Sequence, residues 1–379
     1  MAAAQADRVE RVPVGSRCPQ CGGRLQDKGV AARTVVDVEP LRRQTIHYQL
    51  EQKYCPRCRR AVAAPTPGVL PRHLLGNRLL AHVAVQHYVY GVTLGQLENQ
   101  LDVGYGTLMG ALHQLAHRLE PVIDVLVGEY RRAPVKHADE TGWRTDGRNG
   151  YAWLFCTETI SLFRFRQTRS GQVAQQVLGT GRLGGVLVVD RYHGYNRSPC
   201  ALQYCYAHLL RDVEDLEKEF PDQPEIQRFV AALSPLLARA MHLRGLKLTP
   251  AQFRTQAAQT RAQIQAVTEA AAQHPAIQKI QNLFREKADR LYHWAKDRAV
   301  PADNNRAERE LRPLVIARKI SFGSQSEAGA RTREVLMSVL HTSRKRTDDV
   351  TAAFHHALDR LVQEPATNLY KLLFRCDSS

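Results

Sequence analysis

The stretch Gly185-Val-Leu-Val-Val-Asp190-Arg-Tyr-His-Gly-Tyr-Asn196 decides how the chain is read. Residues 186–189 are apolar at every position. A strand of that kind needs cover on both faces, as in the middle of a parallel sheet. Asp190 ends the run, where a carboxylate has little structural use and points to function. Upstream, Pro134-Val-Lys-His-Ala-Asp139-Glu-Thr141 reads as a strand with Val135, His137 and Asp139 on one face. Strands at 151–157 and 161–166 follow, the first joined back by a turn through Gly147 and Gly150. A helix near 170–178 leads into the central strand. A strand at 202–205 then precedes a helix from 207 to about 220.

A third carboxylate stands far downstream, in Asp303-Asn-Asn-Arg-Ala-Glu308-Arg-Glu-Leu-Arg-Pro313. Asp303 or Asn304 can cap a helix here, and Asn304, Glu308 and Arg312 fall on one face of it. Glu308 and Arg312 would then be either a surface ion pair or part of a site. Glu310 and Asp303 are rival acids, but Glu310 lies about 200° around the helix from Glu308. Three strands, a helix, a strand and further alternation predict an α/β fold with an RNase H-like core at 134–346. It would carry a helical insertion at about 221–300. That core places one acid on its first strand, one at the end of its fourth and one on a late helix.

Two cysteine pairs precede this region. Cys18-Pro-Gln-Cys21-Gly-Gly and Cys55-Pro-Arg-Cys58 are separated by 33 residues. A two-residue gap lets both sulfurs of a turn face one ion, and four thiolates suit tetrahedral zinc. Strands are expected between the pairs, at 34–38 and 45–53. Residues 1–64 thus read as a zinc ribbon, with Cys18, Cys21, Cys55 and Cys58 as ligands. A redox pair would want a βαβ context that is absent. A ribbon this small would take much of its folding energy from the metal.

Residues 65–133 read as helical. Thr93 can cap a helix at 94–101, a Gly-containing turn follows, and Thr107 can cap a second helix to about Leu119. Short helix, turn and longer helix form a helix-turn-helix-like layout, suited to DNA or to plain packing. Residues 347–379 read as a C-terminal helical tail.

The chain has 379 residues with 53 Lys and Arg against 37 Asp and Glu, a formal net charge of +16. That balance makes a polyanion, nucleic acid above all, the expected partner. Arg312, Arg318 and Lys319 beside the third acid could bind phosphate, or form a solvated basic face. The start carries no apolar run of signal-peptide length, and no stretch is long and apolar enough to span a membrane. A cytoplasmic, nucleoid-associated protein is expected, whose eight cysteines are thiols or metal ligands.

Five blocks together carry a resemblance: the CPQCGG and CPRC knuckles, HADETGWRTDGRNGYAWLF, VVDRYHGYN, CYAHLLRD, and DNNRAERELRPLVIARKISFGSQSEAGARTREVLMSVL. In this order, from about residue 18 to 340, they resemble DDE transposases of the insertion sequence 66 type. The resemblance implies that Asp139, Asp190 and Glu308 are the catalytic acids. They would hold two magnesium or manganese ions about 4 Å apart, with Asp139 bridging. It implies cleavage and strand transfer at the ends of an insertion sequence. Partners would be double-stranded DNA at element ends and target, further copies of the chain on that DNA, and accessory element-encoded proteins. Cys205 and His208 match a Cys-x-x-His pair that recurs after the second Asp in several such families, where they would support the active-site wall. A buried Cys and a capping His are the plainer alternative. Typical members carry a long helical leader before the ribbon, so a truncation or a shorter subgroup is expected here. Two other functions fit the same motifs: a non-catalytic zinc-containing DNA-binding protein derived from a transposase, and an RNase H-like nuclease.

Overall fold

The computed structural model describes residues 16–17, 20–24, 26 and 43–374. The chain divides into two compact units, residues 1–46 and 47–379. In the first, Arg17 and Arg24 form an antiparallel bridge, and the Arg17 guanidinium donates to the Gly22 carbonyl at 3.4 Å. Gly22 has a φ of +73°, a left-handed turn that suits glycine. Cys21 is exposed in this turn. Cys18 and the strand expected at 34–38 lie outside the described residues.

The second unit opens with a hairpin of β1 (Gln52–Cys55) and β2 (Arg60–Ala63), with Cys55 opposite Arg60. Cys58 lies in the turn between them. The strand expected at 45–53 is corrected: residues 45–51 are irregular, and only 52 and 53 belong to β1. Its alternating Ile46, Tyr48 and Leu50 are exposed, so among the described residues the pattern meets no apolar face.

Helices α1 (Asn77–Tyr88), α2 (Leu94–Leu101) and α3 (Tyr105–Arg132) follow. Thr93 caps α2 in a reciprocal capping box with Gln96, as expected. Thr107 does not cap α3. The helix begins two residues earlier, and the Glu98 carboxylate of α2 accepts the Tyr105 N–H at 2.8 Å. Nor does α3 stop near Leu119. It continues through Pro121, because Val122, Ile123, Leu126, Val127 and Tyr130 prolong the buried stripe. Burial of five such side chains outweighs one lost ladder bond.

The sheet comprises β3 (Val135–Thr145), β4 (Arg148–Cys156), β5 (Ser161–Arg166), then after α4 (Gln172–Leu178) the strands β6 (Val186–Val189) and β7 (Ala201–Tyr204). Its order is β5-β4-β3-β6-β7. The first three strands are antiparallel, and β3, β6 and β7 run parallel. After β7 come α5 (Tyr206–Glu219), then α6 (Pro224–Leu243), α7 (Pro250–Glu269), α8 (Pro275–Glu286) and α9 (His293–Lys296). These last four make most of residues 224–296 helical. Buried Gln203 of β7 accepts the N–H groups of His293 and Trp294, returning the insertion to the sheet. Next are α10 (Asn305–Ser321), α11 (Glu327–Arg346), α12 (Val350–Gln363) and α13 (Leu369–Phe374).

An edge strand presents unpaired backbone groups that need cover. Here α11 supplies it. The N–H groups of Ser161, Phe163 and Phe165 on β5 donate to Thr342, Ser338 and Glu334. Two strand residues rise about 6.7 Å and four helix residues about 6 Å, so the periods match. Asn77 of α1 donates to Asp359 of α12 at 2.9 Å, holding those helices together.

Candidate active site

The backbone register brings the two aspartates level. In the parallel pair of β3 and β6, His137 lies opposite Val188. Two residues further on, the same register sets Asp139 beside Asp190. On the other side Val189 lies opposite Tyr204, which carries Cys205 next to Asp190. The Cys205 N–H donates to the Val189 carbonyl at 2.9 Å, which prolongs the pairing by that one step. Each aspartate is fixed by a nearby amide: Glu140 N–H to Asp139 at 2.9 Å, and Tyr192 N–H to Asp190 at 2.9 Å.

Glu308 arrives from far along the chain. Asn304, almost fully buried, places its helix. Its Nδ2 donates to the Ala138 carbonyl at 2.9 Å, and its Oδ1 lies 2.9 Å from His137 Nδ1. Its backbone N–H donates to the Cys205 sulfur at 3.1 Å. Asn304 precedes α10 without capping it by its side chain, and the side chain serves β3 instead. One turn on, Glu308 is half-buried beside the acids of the sheet.

The electrostatics agree with this convergence. Burial first, then the charge of Glu140, and further those of Asp190 and Glu308, push the Asp139 carboxyl up to about 8, against the help of the Glu140 amide. Burial holds His137 down, to about 4, so it is neutral at neutral pH. Three mutually repelling carboxylates suit hard divalent cations with oxygen ligands.

The rival acids are engaged elsewhere. Glu310 binds Lys345 at 2.7 Å and accepts the Ser161 hydroxyl at 2.7 Å. Asp303 accepts the Asn305 N–H at 3.0 Å. Glu308 faces His208 rather than Arg312: His208 Nδ1 and Glu308 Oε1 are 3.9 Å apart. Cys205, His208 and Glu308 lie together, their donor atoms within 4.8 Å of one another. Arg312 and Lys319 are exposed on α10. Arg318 is half-buried and donates to the Gly142 carbonyl and Thr141 hydroxyl of β3, so it braces the helix.

Two neighbours of these acids have contacts that the sequence does not show. The sequence marks Asn304 only as a possible helix cap in a polar run, and its side chain bonds to β3 instead. Glu140, though its side chain is only 1% exposed, sits in a charged stretch. It accepts from Arg169 and the Tyr195 hydroxyl, and the Arg169 guanidinium lies 4.0 Å over the Tyr192 ring. This group backs the loop that holds Asp190. Of the cysteine knuckles, Cys55 is held below its ordinary pKa first by the Cys58 backbone N–H, with further help from the Cys58 side chain and the Arg57 amide. Amides aimed at sulfur in this way suit a metal-bound thiolate.

Residues 72–332 match the family described as "Transposase IS66 family". The uncharacterized protein y4hP of Sinorhizobium fredii (strain NBRC 101917 / NGR234) is 24% identical over 423 residues, covering 97% of this chain and 75% of that protein. The uncharacterized protein y4jD of the same organism is 24% identical over 394 residues, covering 94% and 76%. The family match spans well over half of the chain and includes all three acids, so the chain belongs to the IS66 transposase family.

Proposed function

We propose that the protein is a DDE transposase that cuts DNA at the ends of an insertion sequence and joins them to target DNA. The observation that carries this reading is the convergence of Asp139, Asp190 and Glu308 from two adjacent strand ends and a distant helix. The strand order β5-β4-β3-β6-β7, antiparallel then parallel, supports an RNase H-like core interrupted by a helical insertion. The family match supports DNA as substrate.

Asp139, Asp190 and Glu308 would hold magnesium or manganese. A metal held there would supply an activated water or 3′-hydroxyl and stabilisation of the leaving oxygen of the scissile phosphate. The chain's own residues set the stage. The amides of Glu140 and Tyr192 orient the two aspartates, and Asn304 fixes the approach of α10. Neutral His137 adds no competing charge. Arg312 and Lys319 on the exposed face of α10 offer phosphate contacts beside the site. The paired two-residue spacing of Cys18 with Cys21 and of Cys55 with Cys58 supports structural zinc as the ion they bind. Helices α2 and α3 form the helix-turn-helix-like pair, whose exposed Tyr105 and Thr107 start the helix that would enter a groove.

The test is incubation of the protein with a labelled duplex spanning the flank of its gene, with magnesium or manganese. Site-specific cuts and joined products that disappear in Asp190→Asn are the expected result. Cutting of every duplex offered would favour a nuclease. Binding without cutting by the unaltered chain would favour a DNA-binding protein that has lost the chemistry.

A further inference from the structure

Cys205, His208 and Glu308 have chemistry the triad does not use. Cys205 is fully buried at the start of α5, and His208 lies three residues on. Glu308 meets them from α10. Their donor atoms are all within 4.8 Å of one another. His208 Nδ1 and Glu308 Oε1 are shielded from solvent and have no hydrogen-bond partner. Their 3.9 Å separation is too long for a direct bond. Two buried polar atoms facing each other without a bond call for a third atom between them. Three amides, those of His208, Asn304 and Ala207, point at the Cys205 sulfur. Burial pushes the Cys205 thiol up to about 11 against these amides, so the free sulfur is a thiol and only a bound cation would take its proton's place.

The donor types decide what fits. A thiolate, an imidazole and a carboxylate form a soft set for zinc, poorly matched to magnesium. Asp139 and Asp190 offer only hard oxygen. Glu308 belongs to both neighbourhoods.

We propose that Cys205, His208 and Glu308 form a separate site for a zinc-class cation, and that filling it draws Glu308 away from Asp139 and Asp190. Binding releases the Cys205 thiol proton and leaves a fourth position to water. Magnesium-dependent cleavage is then inhibited by zinc through this site. The inhibitory half rests on Glu308 as the third catalytic acid, and the binding half does not.

Cobalt(II) titration of the full chain tests the binding, read by thiolate-to-cobalt charge-transfer absorption. The unaltered chain takes up cobalt in two classes, the four-cysteine ribbon and this site. Cys205→Ser loses one equivalent and keeps the ribbon signal. His208→Gln and Glu308→Gln leave the buried sulfur in place and weaken the same class by about tenfold or more, since losing even an outer-shell partner costs about 10–100-fold. Unchanged cobalt uptake in both overturns the site, even if Cys205→Ser fails to fold. Zinc added to the magnesium-driven cleavage reaction tests the rest. Inhibition should need about tenfold more zinc in His208→Gln than in the unaltered chain, compared by the zinc giving half of each protein's own rate. Cobalt bound at the site with equal zinc sensitivity in both proteins would keep the metal site and overturn its grip on the third acid.

Discussion

Replacing Asp139 by Asn should stabilise the metal-free protein while destroying its chemistry. Burial first, and then crowding by Glu140, Asp190 and Glu308, pushes the carboxyl up to about 8. In the unfolded chain it titrates near the ordinary value of 3.8. Well below that value both states are protonated and no difference exists. As pH rises toward 8, the unfolded chain has lost the proton and the native state has kept it. Native stability therefore falls with pH across this window, by at most about 1.4 kcal/mol per unit. The full span would give roughly 6 kcal/mol. Asp139 is only partly buried by surface area, so solvent relaxation reduces this to about 1–3 kcal/mol. An amide has no proton to lose and avoids the penalty. Thermal unfolding in magnesium-free buffer at pH 5 and pH 8 measures it. The advantage of Asp139→Asn should widen toward pH 8, to about 2–6 °C. Magnesium should then narrow the gap by stabilising the unaltered chain alone. A gap that does not change with pH, or a variant less stable at pH 8, would refute the crowding of these carboxylates.

Three further outcomes follow from other parts of the molecule. Asn304→Ala removes the side-chain bonds to Ala138 and His137 and should cost about 1–3 kcal/mol in denaturant unfolding. Cleavage should fall by about 10²-fold or more through misplacement of Glu308. Burial holds His87 and His341 down to about 4, so between their ordinary 6.5 and 4 the unfolded state binds more protons. Stability should then be lost as pH falls from about 6.5 toward 4, by up to about 1.4 kcal/mol per unit for each group, visible as a falling midpoint in urea. The double change Arg312→Ala with Lys319→Ala should weaken DNA binding uniformly across sequences. It should also flatten the slope of log affinity against log salt by about 2, and an unchanged slope would remove both residues from the phosphate path.

Much of the candidate site was legible because its signals are local. Asp190 ends an apolar run, and Asp139 falls at a fixed place on an alternating strand. The capping box of Thr93 and Gln96 is written within four residues. What was not legible depends on residues brought together from afar. Asn304 contacts β3 more than 160 positions upstream, and nothing in a run of Asp, Asn and Arg marks one amide as buried. The same holds for Glu334, Ser338 and Thr342, polar residues at helical spacing whose use is set by the edge of β5. The expected strand at 45–53 failed for the converse reason, since alternation without a partner face leaves Ile46 60% exposed. The end expected for α3 near Leu119 failed because tertiary burial of Val122, Ile123, Leu126, Val127 and Tyr130 carries the helix through Pro121.

The account stands on three distant acids acting as one site, and cleavage of a labelled element-end duplex in magnesium tests this most directly. Asp139→Asn, Asp190→Asn and Glu308→Gln should each abolish cutting while still binding the DNA. Asp303→Asn, which alters a rival acid bound to its own loop, should cut. Retained cleavage in Glu308→Gln, or its loss in Asp303→Asn alone, would contradict the assignment of the third acid and with it the site.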